Sequence, residues 1–117
     1  MAKKHPIVLE VAKVIDNATT FDLITERWKA GFLFCFQRFA FRIATNAPTQ
    51  VDVGVRRTGK NFWLETFATP TADDVDGFYP EIWVPTDYQI IMRVSGGTLA
   101  RLAEAWVYGY IEPEVGP

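Results

Sequence analysis

Alternation of apolar and polar residues runs through most of this chain, and it predicts strands rather than helices. The densest stretch, Gly31 to Ile43, organises the rest. Within it Phe39, Phe41 and Ile43 share one parity and Arg38, Ala40 and Arg42 the other, the period of a half-buried strand. Phe32, Phe34 and Phe36 hold the opposite parity. Two readings fit: a first half buried on both faces, or a bulge near Gln37 that flips the register. A helix is the rival, because Phe32, Phe36, Phe39 and Ile43 follow 4-3-4 spacing, but it leaves Phe34 and Phe41 off the stripe. Aromatic residues also favour strands. The run is too short to span a membrane, and Arg38 and Arg42 interrupt it.

The other segments follow in order. Ile7 to Ile15 reads as a strand with Ile7, Leu9, Val11 and Ile15 on one face. Asp16 to Thr20 is a turn or link. Phe21 to Trp28 stays open between a short helix capped by Asp22 and a strand. Val51, Val53 and Val55 alternate cleanly, Arg57 to Asn61 turns the chain, and Phe62 to Phe67 returns it as a hairpin. Thr69 to Gly77 is an acidic loop. Phe78 to Val84 is a strand broken at Pro80, and Pro85-Thr86-Asp87 ends it. Tyr88 to Val94 is a strand, Thr98 to Ala103 a short helix or link, and Glu104 to Glu112 a last strand. In that last strand Trp106, Tyr108 and Tyr110 share one face. Seven or eight short strands in one domain, residues 1 to 117, predict an all-β fold: an antiparallel β-sandwich, of jelly-roll type in one version, with residues 1 to 16 as an N-terminal arm. A closed barrel is the alternative. Ile7 to Ile15 either folds into its own sandwich or crosses to a neighbouring subunit's sheet edge.

Composition narrows the function. Twelve Lys plus Arg face 14 Asp plus Glu, which argues against a nucleic-acid partner held by bulk charge. Apolar residues make up 49% and aromatics 15%, more than one small sandwich needs for its own core. The surplus predicts a homo-oligomer, with a trimer favoured. No membrane segment or signal peptide is read, so synthesis in a cytosol is expected. Cys35 is the lone cysteine and reads as a small buried side chain among Phe residues, and His5 is the lone histidine. That pair is too sparse for a zinc site or a nucleophilic triad, and no cofactor or catalytic residue is assigned. Asp74, Asp76 and Gly77 resemble part of a calcium loop, but Ala72 and Trp83 fail its first and last positions, and a solvated turn is the reading kept. Arg56, Arg57 and Lys60 gather at the hairpin tip, where they suit an acidic partner or solubilise the turn. Trp63 and Trp83 are the candidate sugar-stacking or subunit-contact residues, with core packing as the plainer role.

The N-terminal segment MAKKHPIVLEV, the aromatic strands, the hairpin VGVRRTGKNFW and the final strand EAWVYGYIEPE together resemble the small β-sandwich virion proteins of tailed bacteriophages, notably capsid cement or decoration proteins. The resemblance implies a non-enzymatic protein found in the virion, commonly trimeric, that docks on the major capsid or another virion protein. No site residue carries over. The alternatives are a carbohydrate-binding module or receptor-binding tail domain, and a small glycan-active enzyme.

Overall fold

A computed structural model describes residues 5–26, 28 and 31–113. Nine strands follow one another: β1 (His5–Val14), β2 (Thr20–Ile24), β3 (Phe32–Ile43), β4 (Gln50–Arg57), β5 (Lys60–Ala68), β6 (Asp76–Phe78), β7 (Ile82–Val84), β8 (Gln89–Ser95) and β9 (Leu102–Pro113). No helix occurs among the described residues. The open segment at 21 to 30 is a strand through Ile24, and Arg27, Lys29 and Ala30 lie outside the described residues. The stretch from Thr98 is the link rather than the helix, and β9 begins at Leu102. The acidic loop is shorter than its composition suggests, because Asp76 and Gly77 join β6. Pro80 has no N–H to give a ladder, and it separates β6 from β7.

Two antiparallel sheets pack face to face. One runs β1-β9-β3, with β6 and β7 sharing the position beyond β3; the other runs β2-β8-β4-β5. The pairs nest: β4 with β5 innermost, then β3 with β6 and β7, β2 with β8, and β1 with β9. Such a rolled-up set of hairpins is a jelly roll, not a single closed barrel. β1 pairs with β9 of its own chain from His5 to Val14, so the intrachain alternative for this segment is the one observed.

The bulge near Gln37 is present. The register between β3 and β9 shifts between Phe36 and Arg38, and Gln37 is the unpaired extra residue. Phe34 and Phe36 therefore face the same core as Phe39, Phe41 and Ile43, all buried. Their rings meet in a chain of stacked, tilted and edge contacts that ends on Phe67 and Phe78 of the two sheets. Val51, Val53, Val55, Ile90, Met92 and Val94 close the core from the second sheet. Gly109 is required beside Phe36, because a Cβ there would meet the Cys35 carbonyl and the Phe34 ring. Cys35 corrects its expected surroundings. It is buried, but it points away from the Phe core and lies between Tyr110 and Trp83 on the outer side of the sheet.

Candidate functional site

The side chains left over from the core form two surfaces. The first is the β4–β5 hairpin tip with the neighbouring β5 edge. Thr58 and Gly59 turn the chain with positive φ, as a tight hairpin of right-handed twist requires. The turn sets Arg57 against the loop before β8. Arg57 Nε lies 2.8 Å from Asp87 Oδ2, and its guanidinium sits 5.6 Å from the Tyr88 ring centre. A hydrogen bond with Tyr88, then the Asp87 carboxylate, hold its pKa above the ordinary arginine value, so it stays cationic. Arg57, Thr58, Lys60, Phe62 and Tyr88 line an open cleft of about 250 Å³. Arg56 Nη1 donates to Asn61 Oδ1 at 3.0 Å, which ties it across the hairpin instead of into the cleft.

β5 is the edge of its sheet, and three consecutive apolar side chains on it are exposed: Phe62 (53%), Trp63 (40%) and Leu64 (39%). A second register shift, opposite Val53 and Gly54, leaves Leu64 outside the ladder. Such a bulge twists an edge and guards it against indiscriminate strand pairing. Trp63 lies on the outer side, 5.2 Å beneath the guanidinium of Arg93. Arg93 in turn forks onto Asp22 at 2.8 and 2.9 Å, and that bond is the first cause of its raised pKa.

The second surface is the outer face of the other sheet. Cross-strand pairing places Trp83, Cys35 and Tyr110 in one row. Trp83 and Tyr110 meet edge to face at 5.7 Å. In the next row Arg38 stands between the rings of Tyr79 and Tyr108, at 5.7 and 5.6 Å. Beyond Trp106, Arg42 binds Glu104 at 3.2 Å and Asp73 at 3.0 Å. The neutral Tyr110 phenol is favoured by a hydrogen bond to Cys35 and then by partial loss of solvent, so its pKa lies above the usual 10.

Trp63 and Trp83 are thus both exposed but lie on opposite sides of the sandwich, and they form no joint platform. Arg57 and Lys60 reach a common cleft, whereas Arg56 does not line it. Asp73 of the acidic loop accepts from Arg42 Nη2 and from the Thr45 N–H, both at 3.0 Å, so it clasps the loop to β3. Among the described residues no cluster of three or more potential metal ligands occurs. Sequence reasoning missed Phe62 and Tyr88 as partners of Arg57. The proline-bounded turn before β8 hinted at a loop there, but only the β4–β8 pairing brings it to the hairpin. No protein-family model matches the chain, and no curated protein matches it.

Proposed function

We propose that this chain is a non-enzymatic structural protein of a virion, of capsid cement or decoration type, that self-associates and docks on a larger assembly. The observation that carries the reading is the exposed run Phe62-Trp63-Leu64 on an edge strand, continuous with a cleft walled by Phe62 and Tyr88 and rimmed by Arg57 and Lys60. Large apolar side chains held out on strands, beside cations, are adhesive: the rings supply area and the charges supply orientation. Both surfaces offer aromatic and cationic groups in a fixed frame, which suits binding. A jelly roll by itself hosts many functions, capsid and lectin domains among them, so the reading rests on the surfaces and not on the fold. For the sugar-binding alternative, Trp63 and Trp83 would have to act on separate surfaces, because they lie on opposite sides of the sandwich.

The test is incorporation into particles. A variant with Phe62→Ser, Trp63→Ser and Leu64→Ser should fold, since all three side chains are at least 39% exposed, and should be lost from purified virions. Undiminished incorporation of a folded triple variant would exclude this edge as the docking surface.

A further inference from the structure

We infer that the outer face of the β1-β9-β3-β6/β7 sheet is covered by a second copy of this chain, related by a two-fold axis that lies in the interface parallel to the strands. The inference rests on the self-association part of the reading above and names its surface and symmetry.

The charges of the face are unevenly placed, although Asp73 already offsets Arg42. Its β1–β9 half carries Glu10, Glu104 and Glu112 at outward positions, and its β3 half carries Arg38 and Arg42. An in-plane two-fold between β9 and β3 lays β9 over the partner's β3 and β1 over the partner's β6–β7 edge. Rows are preserved. Tyr108 then meets the partner's Arg38 and Glu104 meets the partner's Arg42, each in both directions, while Glu10 and Glu112 come over the partner's Gly77 and the partner's Leu33. Arg38 and Arg42 already have such partners within the chain, an aromatic pair and a carboxylate pair, and the two-fold repeats the same chemistry from above.

The same operation covers the two most exposed apolar groups of the face. Val8 is 60% exposed at the β1 side of the Tyr108–Arg38 row, and Tyr79 is 69% exposed at its far side, against Arg38. Each comes opposite the other in the partner, and Pro6 comes opposite the partner's Trp83. Size agrees as well. Four strand positions about 4.8 Å apart and five outward rows about 6.8 Å apart, from Leu33–Glu112 to Arg42–Glu104–Ala12, outline a face on the order of 650 Å². A stable pair needs about 600–800 Å² from each partner. Aligned sheets pack at about −30° through their own twist, which this axis allows. A patch that complements itself closes as a dimer, whereas the trimer expected from the sequence needs two different patches.

Sedimentation equilibrium of the full chain tests this. The wild type should show a reversible species of twice 13.3 kDa. Val8→Glu and Tyr79→Glu, each at an exposed site, should raise the dimer Kd about tenfold or more with an unchanged β spectrum. Val8→Glu combined with Tyr79→Lys should restore the dimer, which mere loss of apolar area would not do. Either single variant carries the test should the other fail to fold. A wild-type dimer indifferent to both variants overturns this face but leaves self-association standing. A trimer overturns the two-fold. A monomer at every concentration overturns both the interface and the self-association reading.

Discussion

Deleting Gln37 should destabilise the protein severely, whereas replacing it should do almost nothing. Gln37 is exposed and unpaired, and it makes no contribution to the core. It is nevertheless the residue that lets Phe34 and Phe36 face inward together with Phe39, Phe41 and Ile43. Without it the strand alternates uninterruptedly, and one half must turn outward. If the first half turns, Phe34 and Phe36, both fully buried, lose about 1.5–3 kcal/mol each, or about 3–6 kcal/mol together. If the second half turns, three side chains are lost and Arg38 and Arg42 are driven into the core, which costs more. Net stability for a domain is about 5–15 kcal/mol, so the deletion removes a large share of it, and all of it at the low end of that range. Urea unfolding followed by circular dichroism reads this directly. Gln37→Ala should keep its unfolding free energy within about 0.5 kcal/mol of wild type. A deletion variant that unfolds at the wild-type midpoint would refute the claim that the bulge aligns the two halves of β3.

Other outcomes follow from single contacts. Thr25 is buried and its Oγ1 accepts from the Ile90 N–H at 3.0 Å, so Thr25→Val should cost about 1–3 kcal/mol in the same unfolding assay. Gly109→Ala sets a methyl against the Cys35 carbonyl and the Phe34 ring, and should lower stability by at least ~2 kcal/mol. Cys35 should react slowly with a thiol reagent in the native state, and Trp83→Ala, which uncovers it, should speed the reaction. Tyr110 should ionise later than a free tyrosine in an ultraviolet pH titration, and Cys35→Ala should bring it back toward 10. Because its folded pKa is the higher one, its contribution to stability is complete below about pH 10 and fades as pH rises through the folded value.

Local pattern carried most of the strand positions. The Val51-Val53-Val55 alternation and the Arg57–Asn61 turn specify β4, β5 and their hairpin without help from the rest of the chain. The parity break in the aromatic run offered two readings, burial on both faces or a bulge near Gln37, and the register shift between Phe36 and Arg38 is the second. Strand order was not legible, since pairing of β1 with β9 and β2 with β8 depends on residues 67 to 106 positions apart. The environment of Cys35 failed for the same reason. Neighbours in sequence point to the other side of a strand, and its real neighbours come from β7 and β9. The candidate residues were found as types but not as groups. Trp63 and Trp83 are alike in sequence and separate in space, while Arg57, Phe62 and Tyr88 come together only once β8 lies beside β4.

The reading of this chain as a structural virion protein is tested most directly by its copy number in particles. Quantitative mass spectrometry of purified virions made from the genome that encodes it should find the chain in stoichiometric proportion to the major capsid protein. Virions that lack it, while the same cells contain it in quantity, would contradict the account.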